Sequence, residues 1–323
     1  MIVKAGRRSL FFSGVIATLL TGSFALPAFA APPNQLYTRT SVKDRVNGAV
    51  GFLAYSVLPD TTLSTIQISN SGSDETDVYL SQLGGAFTWS GSFPLYLEGY
   101  LGIARYDPRF IMSDGLVERE VPIKWNSISA TLGMGWDFKI SEHWVLRPIL
   151  NLSAGHMESD TSLAGRFVNY KTDAGIDFLE NGRLNAAGLG GSLMLDYEIH
   201  KPEYEADVEL RYTQINLQTV GGTSAGVKGS SIAQSFNVWA RLRVPTGLIV
   251  FRKPLRYVFE ISQSDVLGED AEALGFNHLT KLGTGIEFDL SDTNDLVSRL
   301  RIVGRYLTGP GVSGYSVGFA VSF

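Results

Sequence analysis

The last ten residues, Gly314-Tyr315-Ser316-Val317-Gly318-Phe319-Ala320-Val321-Ser322-Phe323, alternate large apolar side chains with small ones. A β-strand points successive side chains to opposite faces of its sheet, so this segment has one apolar face and one face of small residues. In a transmembrane barrel the first face meets lipid and the second meets the lumen. The pattern therefore predicts a membrane strand at the end of the chain.

The same alternation recurs backward along the chain. A soluble sandwich could contain one such strand, but here we count about twelve segments, many near the ten-residue length of membrane strands. Charged residues fall almost only at the positions predicted to face the lumen, where they avoid a cost of roughly 2–4 kcal/mol for Arg or Lys at mid-membrane. We therefore predict an all-β fold, a transmembrane antiparallel up-and-down β-barrel of about twelve strands spanning residues 62–323.

The lengths of the connections indicate how the barrel is oriented. With twelve strands and a periplasmic C-terminus, the N-terminus is periplasmic too, and the odd-numbered connections face outside the cell. This outer set holds the three longest connections, as membrane barrels require. The outer connections are 71–76, 107–122, 158–184, 220–230, 267–277 and 308–312. The periplasmic ones lie near 90–92, 141–142, 200–203, 245–254 and 291–296.

The first 30 residues are typical of a cleaved signal peptide. Basic residues at Lys4, Arg7 and Arg8 precede an apolar stretch, and Ala28 and Ala30 form an Ala-x-Ala cleavage pattern. A retained membrane anchor is the alternative, but the stretch is short for a span of about 20 apolar residues. We expect export, removal of residues 1–30 and residence in a bacterial outer membrane.

Residues 31–61 form a lead-in before the barrel. Val46, Val50, Leu53 and Val57 are spaced as on one helix face, and Pro59 would end that helix. An additional strand is the alternative, but it would break the even count. We therefore expect a short N-terminal helix in the lumen or below it, acting as a plug.

Little in the sequence indicates catalysis or a cofactor. The absence of cysteine excludes disulfides and thiolate metal sites, and the net charge of −5 argues against a nucleic-acid surface. His156 has Ser153 and Glu158 nearby, and His278 follows an acidic loop, but sequence proximity is weak evidence for a catalytic set. We expect no enzyme activity, no cofactor and no metal site.

Arginines cluster on the lumen-facing positions of the later strands. They are Arg241, Arg243, Arg256, Arg299, Arg301 and Arg305. Carboxylates occupy equivalent positions mostly on the middle strands. The arginines could form a constriction that selects anionic solutes. Alternatively, the charges could form salt bridges that hold the barrel or an inner helix in place.

The exported N-terminus, the helix-like lead-in, the twelve strands and the ending over 314–323 together resemble an autotransporter translocator domain. Without a large passenger, the chain resembles the solitary outer-membrane barrels of this type over about residues 42–323. The resemblance implies a translocation-type pore plugged by a helix.

The C-terminal pattern also resembles the signal read by the barrel-assembly machinery, here Tyr315, Val317, Phe319, Val321 and Phe323. We thus expect this machinery, periplasmic chaperones, outer-membrane lipid and lipopolysaccharide as partners. The alternative functions are a narrow solute channel and a surface enzyme or adhesin that uses the 158–184 loop.

Overall fold

The computed structural model describes residues 10–13, 51–60, 62, 65–70, 77–107, 109–113, 118–122, 124–159, 183–223, 229–267, 276–290 and 298–322. Within them it contains sixteen strands and helical residues over 51–57, which we call α1. The strands are β1 (Leu10–Ser13), β2 (Thr65–Asn70), β3 (Asp77–Thr88), β4 (Leu95–Asp107), β5 (Arg109–Ser113), β6 (Glu118–Pro122), β7 (Trp125–Trp136), β8 (Phe138–Lys139), β9 (Trp144–Ser159), β10 (Arg183–His200), β11 (Glu205–Thr219), β12 (Ser230–Val250), β13 (Lys253–Leu267), β14 (His278–Asp289), β15 (Arg299–Gly309) and β16 (Val312–Ser322).

Twelve of these strands form one closed antiparallel wall. The order is β2, β3, β4, β7, β9 and then β10 to β16, and β16 pairs with β2 to close the ring. Closure leaves few unpaired edges, which is how a sheet can lie in lipid. The predicted up-and-down barrel of about twelve strands is confirmed. β5 and β6 form a separate hairpin within the predicted outer connection at 107–122.

Alternation of side chains follows the predicted pattern around the wall. Ile103, Leu132 and Leu152 lie exposed on the outer surface, while Thr131 and Ser153 are buried inside. Aromatic residues cluster near the short turns, where the rings of Phe93 and Trp136 lie 5.1 Å apart. This apolar outer surface with aromatic rims is the one expected at a lipid boundary.

One predicted connection, 245–254, is wrong. β12 instead continues to Val250, and a two-residue turn at Phe251 and Arg252 leads directly into β13. Both turn residues have positive φ, 51° and 63°, as in a type I′ turn, whose twist matches the flanking strands. Asn-Gly is the usual sequence for this turn, so the sequence Phe-Arg does not indicate a tight turn at this position. A bulge between Pro245 and Ile249 accommodates the extra residues.

The lead-in forms a helix inside the barrel rather than an additional strand. Phe52, Leu53 and Val57 of α1 are almost fully buried against the inner wall. The alternative strand is therefore excluded for residues 51–57. None of the helical residues that the structure describes belongs to a helix long and apolar enough to cross a membrane.

β1 lies within the segment predicted to be the signal peptide. Its four residues pair with Gly84–Phe87 of β3, and two of them, Phe11 and Phe12, also pair with the end of β16. Ala28, Ala30 and Phe323 lie outside the described residues. Cleavage after Ala30 therefore stays a prediction.

Candidate functional site in the lumen

The lumen contains two layers that differ in polarity. The layer at the end away from the short turns, which we call the outer lumen, is apolar. There, α1 packs its buried face against inward-pointing residues from most of the wall. These wall residues are Leu80, Ala104, Met157, Leu184, Ala186, Ile215, Leu217, Ala233, Val266, Leu279 and Leu307. The charged residues predicted at lumen-facing positions do not extend into this layer, because here the wall must cover the apolar face of the helix. One signal was available: on β11 the inward series changes from Glu209 and Arg211 to Ile215 and Leu217.

The wall also supplies the missing hydrogen bonds at the end of α1. The last carbonyls of a helix have no partner within the helix. Here Ser129 Oγ donates to Ser56 O at 2.9 Å, and Thr131 Oγ1 donates to Val57 O at 2.7 Å. Gln82 Nε2 lies 3.2 Å from both Ser56 O and Leu58 O. Two strands of the wall, β3 and β7, thus fix the position of the helix end.

Close packing between the helix and the wall depends on Gly155 of β9. A Cβ at this position would lie 2.6 Å from Leu53 Cδ1 and 3.1 Å from Leu53 Cγ. All three of its nearest neighbours would be Leu53 atoms. The absence of a side chain at 155 therefore creates the space into which Leu53 inserts.

After the helix, an ion pair ties the chain to the opposite part of the wall. The Lys281 ammonium on β14 is almost fully buried and pairs with the Asp60 carboxylate. It also donates to Thr62 Oγ1 at 2.7 Å. Burial disfavours the Asp60 carboxylate, but Lys281 and the hydrogen bonds from Thr62 outweigh burial and lower its pKa. We call residues 51–60 and Thr62 the plug segment.

Below the plug segment, an ion pair crosses the lumen. Arg211 Nη2 lies 2.6 Å from Glu98 Oε1, and Arg211 Nη1 lies 2.9 Å from Glu98 Oε2. β7, β9 and β10 separate β4 from β11 in the wall, so this contact spans the interior. Asn151 and Tyr96 also donate to Glu98, which leaves the buried carboxylate well hydrogen-bonded. The pair is bidentate, the strongest arrangement for these two groups.

The six arginines singled out from the sequence all lie in the lumen, and each has a carboxylate partner. The shortest pairs are Arg241–Asp207 2.9 Å, Arg243–Asp207 2.9 Å, Arg256–Asp289 2.8 Å, Arg299–Glu205 2.6 Å, Arg301–Glu287 2.6 Å and Arg305–Glu260 2.5 Å. Six arginines therefore face five carboxylates, because Arg241 and Arg243 share Asp207. The positive field of the cluster is largely neutralised within the wall.

A cavity of about 610 Å³ occupies the end of the lumen that carries the short turns. We call it the vestibule. Acidic groups such as Asp196 and Glu198 line one side, and Arg301 and Arg305 line the other. Tyr96 and Trp239 also contribute to the lining, and each carries an arginine over its ring, Arg147 at 4.1 Å and Arg241 at 4.7 Å respectively.

The histidine candidates do not come together as catalytic sets in the described residues. Ser153 is buried, and its Oγ lies 2.8 Å from Thr131 Oγ1, whereas His156 is half-buried and its Nδ1 contacts Asn185 Oδ1 at 2.7 Å. Since residues 153 and 156 have opposite parity on β9, their side chains point to opposite faces of the wall. Much of the acidic loop before His278 lies outside the described residues.

One group of possible metal ligands lies at the vestibule rim. Oxygen and nitrogen atoms of Glu198, His200 and Asp207 lie within 4.8 Å of one another. Both carboxylate oxygens of Asp207, however, already accept hydrogen bonds from Arg241 or Arg243. The two remaining groups make an incomplete ligand set.

The proposed assembly signal lies on the outer surface at the barrel seam. Tyr315, Val317 and Phe319 are exposed there, and the rings of Tyr306 and Tyr315 lie 5.4 Å apart. Val321 pairs with Leu300. Tyr315, Val317 and Phe319 therefore occupy lipid-facing positions, where a recognition signal and a membrane surface would coincide.

No protein-family description and no curated protein matches the sequence. The fold is similar to solved outer-membrane structures. The β domain of the Bordetella autotransporter BrkA shares 14% identity over 81% of this chain and 96% of its own, with a TM-score of 0.48. The transport unit of the autotransporter AIDA-I from Escherichia coli shares 14% identity over 88% and 98%, with a TM-score of 0.45. The NanC porin shares 11% identity over 81% and 98%, with a TM-score of 0.39.

Proposed function

We propose that the chain is a bacterial outer-membrane barrel of the solitary autotransporter type, a translocation-type pore held closed by its plug segment. The observation that carries the proposal is the seating of α1 inside the barrel, with its apolar face buried and its C-terminal carbonyls bonded to the wall. A pore filled in this way does not conduct until the plug segment moves.

Membrane residence follows from the outer surface. Leucine and isoleucine side chains lie exposed around the wall, and a soluble protein rarely leaves so large a contiguous apolar area in water. Among membranes, closed antiparallel barrels with short turns at one end are typical of the bacterial outer membrane. We place both termini on the periplasmic side and the barrel-assembly machinery, chaperones and lipopolysaccharide among its partners.

The alternative of a solute channel with an arginine-lined lumen is less favoured. Such a channel needs unpaired positive charge along an open path. Here the arginines pair with carboxylates, and the plug segment fills the outer lumen. We likewise propose a non-enzymatic role, since Ser153 and His156 point to opposite faces of the wall.

A redox-controlled lock would test the proposal. The sequence has no cysteine, so a Leu53→Cys/Gly155→Cys variant contains a single pair. A Cβ at 155 would lie 3.1 Å from Leu53 Cγ, which is one bond from Leu53 Cβ. The two Cβ atoms would therefore lie near the roughly 3.5–4.5 Å separation that a disulfide spans.

We expect the oxidised variant to be silent in planar bilayers and the reduced variant to open, because reduction removes the link after Leu53 packing has been lost. The Leu53→Cys single variant, which cannot form the link, is the matched control and should be insensitive to oxidant. Equal conductance of the double variant in both redox states would contradict the proposal.

A further inference from the structure

Between β3 and β16, the strand β2 covers only about half of the height of the barrel wall. β2, the first strand of the closed ring, has six residues, whereas its neighbours β3 and β16 have twelve and eleven. β2 pairs with Val312–Val317 of β16 and with Asp77–Ser81 of β3. The remainder of both strands, toward the short turns, lies beyond its reach. We call this gap the half-seam.

The chain cannot fill the half-seam by starting β2 earlier. Thr62 lies inside the lumen, where its hydroxyl contacts Lys281 Nζ at 2.7 Å. Only two residues separate Thr62 from Thr65, the start of β2. The ion pair that holds the plug segment therefore also forces the chain to enter the wall at mid-height.

The vestibule opens toward this gap. In an intact sheet only alternate residues of a strand can line one cavity. Most strands obey this rule here, as Arg301, Val303 and Arg305 do on β15. In contrast, four consecutive residues of β3, 85–88, and three consecutive residues of β16, 318–320, line the vestibule. The cavity therefore reaches the strand edges themselves.

The structure also shows what kind of segment fits. β1 lies antiparallel to both edges, with Phe11 opposite Ser322 and Ala86, and Phe12 opposite Val321 and Gly85. β1 is an extended segment, Leu-Phe-Phe-Ser, that runs in the same direction as β2. It belongs to the stretch that we expect to be removed on export, and its removal leaves the backbone groups of both edges without partners in a membrane, which is costly.

We propose that the periplasmic half of the β3–β16 seam is a strand-accepting site. It takes an extended apolar polypeptide segment that enters from the vestibule and pairs with both edges in the direction of β1. This inference rests on the proposed function, which supplies the membrane and the exported client. Main-chain hydrogen bonds would give the affinity, as in other cases of strand addition to a sheet edge.

The probe is a fluorescent peptide with the sequence of residues 8–15, added to the processed protein that begins at residue 31. A photo-crosslinking phenylalanine analogue replaces Phe87, which lies opposite Leu10 at the half-seam. The matched control carries the analogue at Leu101, which pairs with Leu83 and Ala130 in the intact wall. A second peptide has proline at positions 11 and 12, because proline removes the N–H groups that pair with a strand.

We expect saturable binding in detergent, cross-linking at 87 but not at 101, and at least roughly tenfold weaker binding of the proline peptide. Absent binding, or equal cross-linking at the two positions, would overturn the proposal. It would also be overturned if mature protein retains residues 10–13 with the Gly84–Phe87 amides protected from hydrogen exchange. Because peptide binding is measured without conductance, a failure of this experiment leaves the plugged-pore proposal standing.

Discussion

The contact between Leu53 and Gly155 allows a quantitative test of the plug. A Gly155→Ala substitution places a Cβ 2.6 Å from Leu53 Cδ1, closer than side chains approach in folded proteins. Overpacking of this kind costs typically about 1–3 kcal/mol. If the cost falls on the closed state alone, the ratio of open to closed pores rises by roughly 5- to 150-fold. Single-channel recording measures this ratio as an open probability.

A double-mutant cycle identifies the contact as the cause. Leu53→Ala alone removes a fully buried side chain and should open the pore by the loss of about 2–5 kcal/mol of packing. In that background, Gly155→Ala meets no leucine, so the added methyl group should be neutral or should favour closure. The same substitution thus changes sign with the residue at 53. The control is Gly91→Ala, where a Cβ has no neighbour within 4 Å and no effect is expected. An equal effect of Gly155→Ala in both backgrounds would show that its contact with Leu53 is not the cause.

Three further predictions concern the ion pairs and the lipid face. Because its pKa is lowered, the ionised Asp60 stabilises the closed state at every pH above the ordinary carboxyl pKa of about 4, and this stabilisation is lost as the pH falls through the lowered value. The open probability should therefore be flat from pH 5 to 8 and rise only in stronger acid. Asp60→Asn should leak already at pH 7, and a wild-type leak that begins near pH 6 would argue against this. Glu98→Gln leaves Arg211 buried without its counter-charge and should destabilise the barrel by about 3–5 kcal/mol, measured as a lower unfolding midpoint in urea. An unshifted midpoint would mean that the ion pair contributes little to the stability of the barrel. Leu132→Arg on the outer face should cost roughly 2–4 kcal/mol of folding free energy in lipid vesicles; Leu132→Ile is the control, and equal stabilities would contradict lipid contact at this position.

Much of the barrel could be predicted from the sequence because lipid and lumen impose opposite demands on alternate residues. On β15, for example, Leu300 and Ile302 against Arg299 and Arg301 define both the strand and its outward face. The helix was also predictable, since Leu53 and Val57 share a face and Pro59 follows.

The details of the lumen depended on contacts between distant segments. Nothing local to Gly155 shows that it receives Leu53, and nothing local to Lys281 shows that it pairs with Asp60. The arginine cluster was visible in the sequence, but its neutralisation by Asp207 and Glu287 required the strand register. The hairpin at Phe251 and Arg252 was missed because residues other than glycine and asparagine rarely adopt positive φ.

The most direct test of the plugged pore is single-channel conductance of the purified protein in planar bilayers, compared with a variant that lacks residues 51–62. We expect the intact protein to be silent and the deletion variant to form stable open channels. Steady, anion-selective current through the intact protein would contradict the plug and favour an arginine-lined channel.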